Sequence, residues 1–302
     1  MVVYWLFRLT ILLTSPLPLW LGYRIAAAVA HVCYYFFSRQ RRGLNQNMAV
    51  VLNSDDEADV DALAHRAFRN FGKFVIDFIH FPAMTRKEVR QRLVFSQWTE
   101  LDEAVESGRG IIMPTMHFGS WDLGAAALAA YDYPINAIVD TFSDDRLDEL
   151  VHNSRRQLGM NVIRRDRTGP SIFRKIKRGE ILAILIDVQP PGQTVTVDFM
   201  GRPATVSAIP ARMALGTGAR VVPSLVQRGP ESDTLIRPVV DIHGARYEPT
   251  GNTDQDVVAL TQLIMDSFER MMHAHPEQWL LFHPLWLEEG QTAAVPVLAS
   301  ER

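Results

Sequence analysis

The sequence predicts an α/β fold in which a mostly parallel central sheet is flanked by helices. Three short apolar runs, 111–113, 134–139 and 180–187, are typical of strands buried on both faces of a sheet. Stretches with helical periodicity separate these runs. The chain has 302 residues and is 47% hydrophobic, which allows a sizeable core in one large domain or two smaller ones.

The other elements follow from local periodicity and from the residues that end them. Gly108 is the expected C-cap of a helix that begins at Trp98, and Pro238 favours an edge position for the strand that contains it. We therefore predict an α/β domain over residues 41–290 and a disordered tail over 291–302. A polar exit followed by a short helix is predicted within 41–52. Further helices are predicted at 58–81, 98–107, 144–158, 210–219 and 254–274, and further strands at 161–163, 221–226 and 236–240.

Residues 1–40 form a strongly apolar segment, which we predict to be helical and associated with a membrane. The run 2–13 is too short to cross a bilayer, which needs about 20 apolar residues, and 19–37 is interrupted by polar residues. One interpretation is a tilted single span with the basic cluster of 39–42 on the cytoplasmic side. Others are two helices lying in the interface, or an ordinary buried helical pair. A cleavable signal peptide fits poorly, because a basic n-region and a clear cleavage site are missing.

The stretch from Ile111 to Gly124 predicts a strand, a polar loop and a helix. Ser120 is a plausible N-cap, which puts Asp122 in the first helical turn. His117 then lies on the loop, and it can meet Asp122 only because it precedes the helix; five residues apart on one helix they would diverge by roughly 140°. A carboxylate that holds one imidazole nitrogen leaves the other free to take a proton from a hydroxyl. The pattern therefore indicates general-base catalysis at the carboxyl end of a strand.

A histidine near an aspartate is more often a capped, solvated turn than a site. Here the flanking residues favour a site, because a buried strand enters the loop and a helix N-terminus follows it. Gly119 and Ser120 are small enough to let a ligand approach.

The segment HFGSWD resembles the HxxxxD/E motif of the glycerolipid and lipid A acyltransferase superfamily. It is most like that of the bacterial lipid A late acyltransferases, and similar to that of the phosphatidylinositol mannoside acyltransferases, which commonly end the motif in Asp. The later blocks DVQ…FMGRPA, TGARVVP and PEQW follow in the family's order. The resemblance covers about 41–279.

The resemblance implies a membrane-associated O-acyltransferase on the cytoplasmic face of the inner membrane. It would move a fatty acyl group from acyl-ACP or acyl-CoA to a hydroxyl of a lipid or glycolipid, such as a lipid A precursor, with no cofactor besides that co-substrate. His117 would be the general base and Asp122 would fix its tautomer. Asp122 in place of Glu, Val188 between Asp187 and Gln189, and the HPLW end leave a lysophospholipid or a phosphatidylinositol mannoside open as acceptor.

Further residues are expected to bind substrate. Backbone N–H groups of Gly119, Ser120 and Trp121, or the Arg202 side chain, could stabilise the developing oxyanion. Asp187 could orient Arg202, bind a polar headgroup, or simply cap a turn. By resemblance, Phe199 and Gly201 lie beside the catalytic corner. The phenylalanines of 58–81 could wall an acyl-chain tunnel, although core packing is the preferred interpretation.

A basic region follows the strand at 161–163. It is either a charged helix face or a docking surface for the anionic part of an acyl donor, and Arg164 is the residue that directly follows the strand. Its members are Arg164, Arg165, Arg167, Arg174, Lys175, Lys177 and Arg178.

Several function classes are disfavoured. The net charge of −3 gives no basic excess for nucleic acid, and the single cysteine allows no intramolecular disulfide. No GxSxG or GxxxxGK[ST] motif occurs. His273, His275 and His283 are a poor zinc set, since no acidic partner is suitably spaced. The competing hypotheses are a non-catalytic membrane lipid-binding protein and a metal-dependent lipid hydrolase.

Overall fold

The computed structural model describes residues 2–14, 16–229 and 232–286. Within these ranges the chain forms a five-stranded parallel sheet in the order β3-β2-β4-β1-β7, which confirms the predicted α/β class. The predicted disordered tail, 291–302, lies outside the described residues. The strands of this sheet are β1 (Ile111–Thr115), β2 (Ile135–Val139), β3 (Asn161–Arg164), β4 (Ile181–Leu185) and β7 (Arg220–Val221).

Helices cover both faces of the sheet, so alternate residues of one strand enter different cores. In β1, Ile112 belongs to one buried cluster, whereas Ile111 and Met113 belong to the other. The helices are α1 (Val2–Thr14), α2 (Leu19–Phe36), α3 (Ser38–Leu52), α4 (Glu57–His80), α5 (Arg86–Arg92), α6 (Trp98–Glu106), α7 (Trp121–Ala130), α8 (Asp145–Gln157), α9 (Pro170–Lys177), α10 (Ile209–Thr217) and α11 (Thr253–Met272).

Two antiparallel hairpins complete the fold. The first pairs β5 (Thr194–Phe199) with β6 (Arg202–Ser207), and the second pairs β8 (Ser224–Arg228) with β9 (Ile236–Val240). The prediction of one strand over 221–226 is therefore wrong, because this range is divided between β7 and β8. The Val222 N–H still donates to the Ile112 carbonyl of the parallel sheet. Pro223 has no N–H and cannot continue this pairing, so the next strand, β8, leaves the parallel sheet and pairs with β9.

The apolar run predicted as the first strand ends at residue 113, but in the structure β1 continues through Pro114. The partner β7 pairs only with Ile111 and Ile112, so the ladder on that side has ended before Pro114 and its missing N–H costs no bond. As a result, β1 runs five residues and delivers the following loop to the carboxyl edge of the sheet.

The amino-terminal segment is helical, as predicted. Thirteen of the nineteen exposed large apolar side chains among the described residues fall within 3–37. The other side of α2 packs on α4, burying Tyr23, Ala27 and Tyr34. Among the described helices, none combines the length and apolar character needed to cross a membrane.

Candidate active site

His117 and Asp187 meet at the carboxyl edge of the sheet. Thr115 of β1 lies opposite Leu185 of β4, and each of the two site residues follows two positions later. The His117 backbone N–H donates to Asp187 Oδ2 at 2.9 Å, and its ring Nδ1 lies 3.0 Å from Oδ1. With Nδ1–H donating to the carboxylate, Nε2 is the ring nitrogen left to act on a substrate.

The Asp187 carboxylate is fully buried and receives a third hydrogen bond, from Trp279 Nε1 at 3.1 Å. Burial alone would raise the pKa of Asp187, but the His117 charge and the hydrogen bonds hold this pKa below its ordinary value. Burial also opposes the charged form of His117, yet the Asp187 carboxylate outweighs it and raises the pKa of the imidazole. The His117 side chain keeps 26% exposure, so a substrate can reach it.

The imidazole is also held by aromatic packing. The ring of Trp121 meets His117 edge to face, with centroids 5.0 Å apart, and stacks on Phe74 of α4 at 3.9 Å. Because α4 fixes Trp121, the histidine is confined between an indole and a carboxylate.

The predicted contact between His117 and Asp122 is wrong. Asp122 begins α7 as expected, but its carboxylate accepts two hydrogen bonds from Arg155 of α8, from Nε at 3.0 Å and from Nη2 at 2.9 Å. Helix geometry turns the first-turn side chain toward α8, whereas Asp187 reaches the imidazole from the adjacent strand. Asp122 still contributes to the raised pKa of His117, but after Asp187 and Asp140.

Gly119 and Ser120 serve the loop itself. Gly119 has φ of +56°, and a Cβ there would approach the Val226 carbonyl oxygen to 1.9 Å. Its N–H donates to the Gln278 carbonyl at 2.8 Å, and the Ser120 N–H donates to the Val226 carbonyl at 3.1 Å. These two predicted oxyanion donors are therefore engaged inside the protein, and glycine is required by backbone contact rather than by a ligand.

Ser120 precedes α7 as predicted but makes no side-chain cap. Its hydroxyl donates to Asp77 Oδ2 at 2.5 Å, within a buried cluster that also receives Arg92 and Arg228, each 2.6 Å from the Asp77 carboxylate. Tyr23 of α2 donates to the same carboxylate. This cluster ties α2, α4, α5 and β8 to Ser120, at the end of the loop between β1 and α7.

The remaining predicted binding residues are dispersed. Arg202 is exposed at the start of β6 and is not paired with Asp187, whose three bonds go elsewhere. Gly201 occupies the tight turn of that hairpin with φ of +71°. Arg164 pairs with Asp148 at 3.0 Å and with Asp166 at 3.2 Å. The interactions that the structure shows for Arg202, Gly201 and Arg164 therefore do not involve His117.

Phe199 contacts the site indirectly, through Trp279. It is fully buried, stacks on Trp286 at 5.5 Å, and meets the ring of Trp279 edge to face. Trp279 in turn holds Asp187, so hairpin β5–β6 braces the buried carboxylate.

Four important residues were missed by sequence reasoning. Arg155, Asp77 and Trp279 act on the site as described. Asn47 is fully buried and holds the carboxyl-terminal segment through the carbonyls of Leu281 and His283. The PEQW segment, which contains Trp279, was visible in the sequence, but the partners of Trp279 and Asn47 are far away along the chain.

An uncharged cavity borders the site. It encloses about 50 Å³, and its lining includes Trp121 at the catalytic end and Trp98 of α6. Thr115 and Ser224 supply its hydroxyls. Across 2–14, 16–229 and 232–286, no three His, Cys, Asp or Glu residues are grouped to hold a metal ion.

A parallel sheet that presents a partly exposed imidazole with a buried carboxylate partner has the arrangement that general-base chemistry requires. The family comparison specifies the class. The chain belongs to the bacterial lipid A biosynthesis acyltransferase family, whose model matches residues 1–288, and is an O-acyltransferase.

Curated relatives carry a different substrate in their names. The phosphatidylinositol mannoside acyltransferase of Mycobacterium tuberculosis (strain CDC 1551 / Oshkosh) is 24% identical over 253 residues, covering 82% of this chain and 77% of the relative. That of Mycolicibacterium smegmatis (strain ATCC 700084 / mc(2)155) is 23% identical, covering 82% of this chain and 79% of the relative.

Proposed function

We propose that this protein transfers a fatty acyl group from a thioester, acyl-ACP or acyl-CoA, to a hydroxyl of a membrane glycolipid. The observation that carries the proposal is the half-buried His117 imidazole, bound by its backbone and its ring to the buried Asp187 carboxylate. Such a pair is suited to take a proton from an alcohol, and a positioned base contributes about 10²–10⁴-fold to a rate.

The reaction needs no acyl-enzyme, because a thioester carbonyl is already activated. His117 Nε2 takes the proton of the acceptor hydroxyl while that oxygen attacks the carbonyl carbon. The new C–O bond forms, the C–S bond breaks, and the departing thiolate takes the proton back from the imidazolium. Asp187 keeps Nδ1 protonated throughout and stabilises the imidazolium between these steps.

The oxyanion of this reaction requires a donor other than Gly119 and Ser120, whose N–H groups are engaged. The first turn of α7 begins at Trp121, beside the imidazole. The positive end of the helix dipole points toward this turn, which favours negative charge there. We therefore assign oxyanion stabilisation to the Trp121 N–H and the helix N-terminus.

The uncharged cavity is the place proposed for the start of the acyl chain. It borders Trp121, which contacts His117, so a carbonyl near Nε2 would direct its chain into apolar walls. At about 50 Å³ the cavity holds little more than one water volume of about 30 Å³, so the chain must displace side chains to enter.

Among acceptors, a glycosylated phosphatidylinositol is the first choice, since the curated relatives are named phosphatidylinositol mannoside acyltransferases. A lipid A precursor and a lysophospholipid are the alternatives. The acid of the motif is Asp122 rather than Glu, as is common in the phosphatidylinositol mannoside enzymes.

For the donor, the exposed side of α9 is the proposed docking surface. Most of the predicted basic region is paired internally, for example Arg165 with Asp140 and Lys175 with Glu180. Arg174 and Lys177 are exposed, and Phe173 on the same helix is 42% exposed. Basic residues around one apolar side chain suit an anionic carrier.

We place the enzyme on the cytoplasmic face of the inner membrane, with the apolar side chains of α1 and α2 in the interface. The exposure of these apolar side chains supports lying on the surface.

The test is a transfer assay with purified full-length protein, using palmitoyl-CoA and palmitoyl-ACP against phosphatidylinositol mannoside, a lipid A precursor and a lysophospholipid. We expect one donor–acceptor pair to give ester product and His117→Ala to abolish it while unfolding at the same temperature as the wild type. Transfer retained by a folded His117→Ala variant would disprove the mechanism. Binding of lipid without transfer to any acceptor would indicate the non-catalytic alternative.

A further inference from the structure

A second, larger cavity lies between α2, α4 and the turn of hairpin β8–β9. It has a volume of about 920 Å³. Its walls are lined from α2 by Trp20, Tyr23, Arg24, Ala28 and His31, from α4 by Arg69 and Lys73, and from the turn by Ser232, Asp233 and Thr234. None of these residues contacts His117.

The cavity carries a surplus of positive charge. Three cationic side chains, Arg24, Arg69 and Lys73, face one carboxylate, Asp233, which pairs with Lys73 at 2.7 Å. Two charges therefore remain uncompensated among the lining residues. Arg24 also lies over the ring of Trp20, with its guanidinium carbon 5.5 Å from the ring centre.

Buried charge behind the wall adds to this surplus. Arg92 donates to the Thr234 carbonyl and Arg228 to the Asp233 carbonyl, so both guanidiniums lie against the turn that lines the cavity. These two cations share one carboxylate, Asp77, which leaves one further positive charge. The lining residue Tyr23 packs under Arg228, 4.9 Å from ring centre to guanidinium carbon. An anion in the cavity would thus meet positive charge from the walls and from beneath.

The cavity borders the exposed apolar surface of the molecule. Trp20 and Val32 both line it and are 54% and 52% exposed. Ile25 and Val29, one position along from Arg24 and Ala28 on the same helix, are also exposed. When these side chains enter the acyl region of a bilayer, the basic residues come to lie at the level of the headgroups.

We propose that this cavity binds the phosphate headgroup of an anionic membrane phospholipid, at a site distinct from the acyl-transfer centre. Arg24 and Arg69 bind the phosphate oxygens, and the glycerol side of the lipid leaves past Trp20 and Val32 toward the bilayer. Helix α4 separates the two sites, because Arg69 and Lys73 face the cavity while Phe74 stacks on Trp121.

The test is flotation of the full-length protein with vesicles of phosphatidylcholine alone and of phosphatidylcholine with phosphatidylglycerol. The measured quantity is the ratio of the two partition coefficients. Ala28 is exposed on the cavity wall, so Ala28→Glu places a carboxylate in the site and Ala28→Gln is its uncharged match. We expect Ala28→Glu to lower the ratio about tenfold and Ala28→Gln to leave it within about twofold of the wild type.

Two double variants test whether any loss of positive charge has the same effect, and they keep the proposal testable if Ala28→Glu fails to fold. Arg24→Gln/Arg69→Gln removes two cations from the cavity, and Lys87→Gln/Arg212→Gln removes two exposed cations from α5 and α10. We expect only the cavity pair to lower the ratio, by about tenfold or more. If the two double variants lower the ratio equally, the attraction is diffuse and the proposed site is wrong. The site is also wrong if Ala28→Glu and Ala28→Gln have the same ratio. The vesicles contain no acceptor, so this outcome is independent of the acyl-transfer proposal.

Discussion

Two buried carboxylates, Asp187 and Asp122, raise the pKa of His117, and they are held by partners of different kinds. Asp187 binds an imidazole that can lose its proton and keeps 26% exposure. Asp122 binds Arg155, which stays charged and is 8% exposed. Asp187 binds His117 directly, whereas Asp122 acts on the pKa of His117 only through its charge. Asp122 therefore clamps α7 to α8, while Asp187 is the carboxylate that we propose serves the chemistry.

The comparison changes what the HxxxxD motif means in this chain. The histidine is the base that we propose, but the aspartate five positions later fixes the helix that begins beside it. The carboxylate that binds this histidine comes instead from the segment after β4, seventy residues further along the chain.

The largest effect that separates the two carboxylates is expected for Asp187→Asn. Its amide keeps one acceptor oxygen but puts an NH2 group where the other oxygen accepts, so the three donors are no longer all satisfied, the His117 tautomer is no longer fixed and the imidazolium loses its counter-charge. We expect kcat to fall about 10³–10⁴-fold, as for loss of the carboxylate in other histidine-based sites. Single-turnover acyl transfer measures this. An Asp187→Asn variant with wild-type kcat would show that the pair is only structural.

The matching change, Asp122→Asn, is expected to cost stability instead. It leaves Arg155 buried without its counter-charge, at a cost of about 3–5 kcal/mol in the free energy of unfolding. Urea unfolding measures the loss, and kcat per folded molecule should change much less than in Asp187→Asn.

The double variant Asp122→Leu/Arg155→Met is the control for that interpretation. Replacing both partners of a buried ion pair by apolar residues is often neutral, so most of the lost stability should return. If stability returns while transfer remains abolished, Asp122 has a direct catalytic role and the comparison fails.

Much of the framework that positions these residues could be predicted from the sequence. The strands β1, β2 and β4 and the start of α7 after Ser120 are near their predicted positions, because apolar runs and helix-start residues are local signals. The partner of Asp122 could not be predicted, since Arg155 looks like one more charge on an exposed helix face.

The pairing of His117 with Asp187 depends on which strands are neighbours. The order β3-β2-β4-β1-β7 puts β4 beside β1, although two strands lie between them in the chain. Strand adjacency is a property of tertiary packing, and apolar runs alone do not encode it. Once β1 and β4 are adjacent, His117 and Asp187 come together because each lies two residues beyond the paired strand ends, Thr115 and Leu185.

A smaller effect is expected from the donor behind Asp187. Trp279→Phe removes the indole N–H that the buried carboxylate accepts, and a hydrogen bond to a charged group contributes about 1.5–3 kcal/mol. We expect that loss in thermal or urea unfolding, with a reduction of kcat well below that of Asp187→Asn. Trp286→Phe is the matched control, because its N–H goes to the Phe199 carbonyl. Equal rate losses in both variants would point to aromatic packing rather than to the carboxylate.

The smallest expected difference concerns the pH dependence of kcat/KM. The base must be neutral, so activity rises with pH through the pKa of His117, which Asp187 raises above its ordinary value of 6.5. The acid limb of the wild type should therefore lie above pH 6.5. Residual activity of Asp187→Asn should have its limb at lower pH, because the charge that favours the imidazolium is gone. Asp122→Asn should move the limb in the same direction but less, since Asp122 contributes less to the raised pKa than Asp187 does. A larger displacement in Asp122→Asn would reverse the assignment of the two carboxylates.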